Sequence, residues 1–171
     1  MKRYIGIDPG KTGAAACLTF EDSVELSVDY ICFNHRETTN KKVLSLLTNE
    51  WAGARQCVLE KVHSSPQMGV ASSFTFGKTA GAIEVLVDLA YPLVWTYVSP
   101  QKWQRKLGCM TKGNKNITRY LAKSLFSEMR DQVTHRNADA LLIASYAAVV
   151  DGHLNGDDVK IRNEKILELR Q

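Results

Sequence analysis

The sequence predicts an α/β protein, a mixed sheet flanked by helices. Short apolar runs rich in Val, Ile, Phe and Tyr recur along the chain, and from the third onward they alternate with longer stretches of helical period. The first three runs follow one another through short turns, which suggests an antiparallel meander, and the later ones are separated by helices; the order βββαβαβαα(α) is that of a mixed sheet with helices packed on it. The composition, 44% hydrophobic and 23% charged over 171 residues, is that of one globular unit with a sizeable core.

Each element has its own signal. Residues 3–8, RYIGID, read as a buried strand; residues 13–20, GAAACLTF, as a second after a Gly-rich turn; residues 24–33, VELSVDYICF, as a third. Residues 39–53 carry Val43, Leu46, Leu47 and Trp51 at helical spacing. A fourth strand over 56–60 ends, like the first, on a carboxylate. Pro66 and Gly69 mark 61–71 as a polar loop. A helix over 72–89 follows, then Pro92 and a strand over 93–98. Ser99-Pro100 opens a short helix that Gly108 closes. Asn116 or Thr118 can cap the next helix, which runs to Met129, and NADALLIASYAAVV predicts an apolar helix over 137–150. The chain thus divides into a domain over 1–150 and a polar segment over 151–171, with a short helix from Val159.

Several function classes drop out. No run of about 18 apolar residues is present, so no membrane span is expected. The N-terminus passes from two basic residues straight into a strand pattern, unlike a signal peptide. Cys17, Cys32, Cys57 and Cys109 stand far apart with no CxxC, which reads as reduced, mostly buried thiols of a cytoplasmic protein. The net charge of +4 and the pI near 8.9 are mild. Their distribution says more: Lys102, Arg105, Lys106, Lys112, Lys115, Arg119 and Lys123 fall within residues 102–123 without one acidic residue, with Trp103 and Tyr120 interleaved. Such a stretch suits a polyanion; a solvated helix face is the other reading.

Three acidic residues stand at element ends. Asp8 closes the first strand, Glu60 the fourth, and Asp139 begins the last apolar helix, where it is the sole acid. If strands one and four lie side by side and parallel, Asp8 and Glu60 meet at the carboxyl edge, where ligands of α/β sheets collect. An acid followed by three apolar turns is costly without a partner. Carboxylates gathered from distant parts of a chain are what hard cations such as Mg²⁺ take as ligands, and paired ions of this kind serve phosphodiester cleavage. Each acid also has an ordinary reading: Asp8 as a turn residue before Pro-Gly, Glu60 paired with Lys61, Asp139 as an acid favoured by a helix N-terminus.

A nucleotide-binding reading of DPGKTG is weaker. The P-loop pattern needs four residues between its first glycine and Gly-Lys-[ST], and only three separate Gly6 from Gly10. A sugar-kinase-like ATPase needs a second domain for which there is no room. A non-catalytic nucleic-acid-binding protein of the same fold would keep the basic surface and lose the acids, and all three acids are present.

The strings IGIDPGKTGAA, VLEKVH, SSFTFGKTAGAIEVLV and HRNADALLIA resemble, in that order, those of the RuvC-type Holliday junction resolvases, over residues 3–150. The resemblance implies an RNase H-like fold with a five-stranded mixed sheet, a homodimer, and Mg²⁺-dependent nicking of four-way DNA junctions with Mn²⁺ able to substitute. Asp8, Glu60 and Asp139 match the family's metal-binding acids. Lys102 and Lys115 resemble its phosphate-contacting lysines, and Lys11 and Lys61 stand where similar contacts are possible. Many members carry a further acid or a histidine three residues before the last aspartate; here that position is Arg136, with His135 four before and on the same helical face, available as ligand or proton shuttle or else a plain surface histidine. Where members place an aromatic wedge three residues after the second acid, this chain has His63, with Met68 and Phe74 beyond. That departure implies broader cutting of branched DNA, forks and flaps included. Members this divergent are often phage-encoded, which implies the host cytoplasm.

Overall fold

Alternation along the central strand decides the layers. In β1 (Lys2–Asp8) the side chains of Ile5 and Ile7 enter one core, while Tyr4 enters the other and Gly6 faces the same way as Tyr4. Asp8, two residues on, falls on the Tyr4 and Gly6 side. In the computed structural model, which describes residues 1–10, 12–21, 24–33, 38–64 and 66–160, five strands form one sheet in the order β3-β2-β1-β4-β5.

The first three strands are the expected meander. β2 (Ala14–Glu21) runs antiparallel to β1, pairing Lys2 with Phe20 and Asp8 with Ala14, and β3 (Val24–Cys32) runs antiparallel to β2. β4 (Gln56–Glu60) lies parallel to β1 on its other side, with Gly6 opposite Val58 and Ile7 opposite Leu59. β5 (Trp95–Val98) lies parallel to β4, with Glu60 opposite Val98. The parallel neighbours β1 and β4 thus bring their last residues, Asp8 and Glu60, to one edge.

Helices cover both faces. On one face α1 (Asn40–Ser45), which widens at its end into a π turn over Leu46–Glu50, and α2 (Val70–Ala90) close over Ile5, Ile7, Cys57 and Leu59. On the other, α3 (Pro100–Lys106), α4 (Asn116–Leu125) and α5 (Ala138–Val150) cover Tyr4, Leu18, Phe20 and Val58. α5 is apolar all round, and every residue from Ala138 to Val149 except Asp139 is buried. No helix among the described residues is long and apolar enough to cross a membrane.

Some boundaries depart from expectation. α2 begins at Val70 rather than near 72, and β5 begins at Trp95 rather than 93. α4 ends at Leu125, and Ser127–Met129 form a separate 3₁₀ turn. Neither Asn116 nor Thr118 caps α4. The cap position is Lys115, and Asn114 Oδ1 accepts the Asn116 N–H at 3.0 Å.

Past α5 the chain stays on the body of the protein. Asp151 accepts the Tyr4 hydroxyl at 2.6 Å and the Arg55 Nε–H at 3.2 Å, His153 packs on Tyr4 and Phe20, and Val159 is buried in the larger core. Residues 156–160 are helical, so this last turn starts before Val159. Residues 161–171 and Lys11 lie outside the described residues.

Candidate active site at the carboxyl edge of the sheet

The turn after β1 is tight because its residues bond to one another. Asp8 Oδ1 accepts the Gly10 N–H at 3.0 Å, and the Gly13 N–H donates to the Gly10 carbonyl at 2.9 Å. A side chain at Gly13 would run into the Asp8 carbonyl, so the return into β2 requires glycine there. The turn-residue reading of Asp8 is therefore correct for one of its oxygens and leaves the other available.

Glu60 ends β4 on the same face of the sheet as Asp8. Its Oε1 accepts the Trp103 indole N–H at 2.7 Å. Trp103 is fully buried under the sheet. This corrects the sequence reading, which placed Trp103 among the exposed bases as an interleaved aromatic. The signal was present: Trp103 and Leu107 are the only bulky apolar residues of the α3 stretch, one turn apart.

Asp139 sits in the first turn of α5, and two devices put it there. Asn137, buried just before α5, accepts the Thr134 N–H at 2.8 Å and donates to the Gln132 carbonyl at 3.0 Å, which fixes the entry to the helix. Gly6 then lets α5 lie directly on β1, with the backbone of Ala140, Ile143 and Ala144 where a side chain would otherwise be. The Thr118 hydroxyl supports the Asp139 carboxylate, although its single proton is also 3.2 Å from the Lys115 carbonyl. Among the described residues, Oδ1 of Asp139 is buried with no hydrogen-bond partner.

The three carboxylates feel one another. Burial raises the pKa of Asp8, and the Asp139 charge raises it further against the Gly10 N–H. Glu60 is pushed up to about 7, first by burial, then by Asp8, with Asp139 adding to it and the Trp103 indole opposing. Burial also raises Asp139, while Thr118, Lys115 and His135 favour its charged form. Lys115 is exposed, and its charge lowers the pKa of all three.

The arrangement suits a hard divalent cation. All candidate donors are carboxylate oxygens, the charges of Asp8 and Asp139 act on Glu60, and one buried oxygen has no partner among the described residues. Among the described residues, no group of three or more His, Cys, Asp and Glu side chains is placed so that it could hold a metal ion as it stands. Mg²⁺ asks for less, since it keeps several waters and takes one or two carboxylates plus substrate phosphate oxygens.

The remaining sequence-derived residues divide. His135 is exposed and its charge reaches Asp139, but it precedes α5 in a turn, so the helical spacing that linked the two does not exist. Lys102 is exposed on α3, next in sequence to Trp103. Lys61 and His63 are exposed in the irregular segment after Glu60, with the Lys61 N–H bonded to the Val98 carbonyl at 2.7 Å. Thr118, read from sequence only as a helix cap, and Gly6, weighed only against the P-loop pattern, were not expected at the site. Gly77 and Gly81, one turn apart on α2, have nothing among the described residues within 4 Å of where a side chain would begin, so α2 turns that face away from the core.

The fold is the RuvC-type, RNase H-like α/β arrangement. No family model and no curated protein matches the chain. Among solved structures, RuvC of T. thermophilus in complex with Holliday junction substrate superposes with a TM-score of 0.56 at 15% identity, covering 88% of this chain and 97% of that one. A further Thermus thermophilus RuvC structure gives a TM-score of 0.55 at 18% identity with the same coverage.

Proposed function

We propose that this protein is a divalent-metal-dependent endonuclease that nicks branched DNA, four-way junctions foremost, as a homodimer in the cytoplasm. The observation that carries the reading is the convergence of Asp8, Glu60 and Asp139 on one sheet edge, each with a raised pKa, beside an exposed lysine that acts on all three. Support for DNA as substrate comes from the acid-free basic stretch over 102–123 and from a fold shared with a protein that holds a Holliday junction.

Asp8, Glu60 and Asp139 would hold the ion. Bound Mg²⁺, or Mn²⁺ in its place, supplies Lewis-acid stabilisation of the phosphate and eases deprotonation of the attacking water. The chain's own residues do the rest. Lys115 and Lys102 bind phosphate oxygens as point charges, which position the strand without reading its sequence. Lys61, Lys11 and His63 extend that contact along the DNA. His135 moves a proton near Asp139. The homodimer forms through the open face of α2, where Val70, Phe74, Val85 and Leu89 are exposed around Gly77 and Gly81. Exposed His63 in the segment after Glu60 favours a second, broader reading that includes forks and flaps.

One gel assay tests this. A labelled mobile four-way junction, a fork and a linear duplex are each incubated with protein in Mg²⁺ or EDTA. Paired symmetric nicks in the junction, in Mg²⁺ only, are the expected result. Equal cutting of the fork replaces junction selectivity with the broader reading. Binding without cutting in both Mg²⁺ and Mn²⁺ overturns the enzyme and leaves a DNA-binding protein.

A further inference from the structure

One of the three acids is held by a residue that carries no charge. Trp103 donates its indole N–H to Glu60 Oε1 at 2.7 Å. The donor and the acceptor stand on elements locked to each other. Glu60 pairs with Val98 at the end of β5, the next N–H, of Lys61, donates to the Val98 carbonyl, and the chain then passes through Ser99 directly into α3. Ser99 caps that helix by accepting the Lys102 N–H, and Pro100 fills its first turn. Leu107 and Trp103 anchor α3 in the core with no exposed surface.

We propose that Trp103 is a positioning residue for Glu60: its indole N–H holds Oε1, so that Oε2 is the oxygen offered to the space shared with Asp8 and Asp139. This rests on the nuclease reading above. A glutamate at a strand end, beside two other acids, is repelled toward solvent and has the rotamer freedom to go there. An indole nitrogen is a donor only, so unlike an amide it cannot turn round and present an acceptor. Its burial makes it costly to leave that N–H without an acceptor, so the bond to Glu60 is held. Donors of this kind behind a ligating carboxylate orient the ligand, and their loss costs about 10–100-fold in metal affinity or activity. The outer side of the same helix carries Lys102 and Arg105, so DNA phosphates that settle α3 also settle Glu60.

The test uses two variants of the full chain: Trp103→Phe, and 3-benzothienylalanine in place of Trp103, which keeps the bicyclic shape and lacks the N–H. Mn²⁺ affinity of the DNA-free protein is read by electron paramagnetic resonance, junction affinity in EDTA by gel shift, and cleavage in single turnover. Both variants are expected to keep junction affinity and to lose about 10–100-fold in Mn²⁺ affinity and in cleavage rate. The isostere, whose packing is native, should lose as much as the phenylalanine variant. If the isostere binds Mn²⁺ and cuts like the wild type, Trp103 only fills space and the proposal is overturned. A wild type that binds Mn²⁺ without cutting refutes the nuclease reading while the Mn²⁺ comparison still decides the role of Trp103. A wild type that binds no Mn²⁺ overturns both.

Discussion

Gly6 of β1 lies directly beneath Ala144 of α5. A Cβ built on Gly6 would run into the Ala144 amide nitrogen and the Ala140 carbonyl oxygen, and would stand 2.7 Å from the Ile143 carbonyl carbon. These are backbone atoms and cannot rotate aside. The contact seats α5, whose first turn bears Asp139, on the strand that ends in Asp8. Gly6→Ala should therefore push the helix off the strand, with a stability cost at the upper end of the ~3 kcal/mol typical of overpacking. For a chain of this length that is a Tm drop of roughly 10 °C. Calorimetry reads the first effect and junction cleavage below the lowered Tm reads the second, which should fall as well because Asp139 moves relative to Asp8.

The metal-free protein should be more stable in mild acid, and Glu60 gives the sign. Its folded pKa is raised from 4.5 to about 7, so between those values the folded state keeps a proton that the unfolded state has released. Its contribution to stability is fully present below 4.5 and lost as pH rises through about 7. Asp8 and Asp139 shift in the same direction. Asp151 is opposite: its pKa is lowered, first by the Tyr4 hydroxyl, so its contribution is lost in stronger acid and bounds the window from below. In EDTA, Glu60→Gln should be more stable than the wild type at about pH 8, by at most ~3 kcal/mol, and the gap should close by about pH 5. Chemical denaturation across that range measures it; a gap independent of pH would refute the raised pKa.

The layers and two of the three acids were legible because strands carry local information. Alternation sets which way Asp8 and Glu60 face, and the parallel pairing of β1 with β4 follows from placing a helix between a meander and the next strand. Asp139 was legible as an unpartnered acid on an apolar helix. The burial of Trp103 was signalled by its one-turn spacing from Leu107, but its bond to Glu60 was not legible, because that depends on how α3 leaves β5, a tertiary fact. His135 was assigned to a helical face that the chain does not form, since Asn137 bonds back to Gln132 and Thr134 and delays the helix to Ala138. Gly77 and Gly81 have, among the described residues, nothing within 4 Å of where a side chain would begin, so their small size does not serve packing on the sheet.

Asp8→Asn separates binding from chemistry. The substitution removes a negative charge that faces phosphate, keeps a side-chain oxygen able to accept the Gly10 N–H, and removes one source of repulsion on Glu60. Junction binding in EDTA should persist or tighten, while cleavage in Mg²⁺ should fall to background. Gel shift and cleavage on the same preparation read both. Substantial cutting by this variant would sink the assignment of Asp8 to the metal.

Lys115→Ala should weaken binding to junctions of any sequence alike. Each phosphate neutralised releases counterions, so loss of one contact should make the slope of log affinity against log salt shallower by ~0.9 for duplex arms. Lys115 also favours the charged form of all three acids, so its removal should weaken Mn²⁺ binding in the absence of DNA. Lys102→Ala should show the salt effect without the second, because Lys102 does not figure among the charges that act on the acids. Salt titrations of binding and DNA-free Mn²⁺ titrations of both variants make the comparison; equal Mn²⁺ effects would contradict the distinction.

The open face of α2 should be where two copies meet. Val70 and Phe74 are 88% and 74% exposed, Val85 and Leu89 are 58% and 63% exposed, and these residues recur at helical spacing on either side of Gly77 and Gly81. Several exposed large apolar side chains on one side of a helix mark an interaction surface. Small residues at its centre let two helices cross closely, and a twofold pairing uses the same patch on both chains. A charge at the centre of such a stripe must be buried twice over in the dimer, so Val85→Glu should abolish association while the exposed position leaves the monomer's fold intact. Sedimentation equilibrium should show a dimer for the wild type and a monomer for the variant. The variant should also nick one junction strand without the paired second cut, since the two sites are no longer held together. A dimer that survives Val85→Glu would place the interface elsewhere.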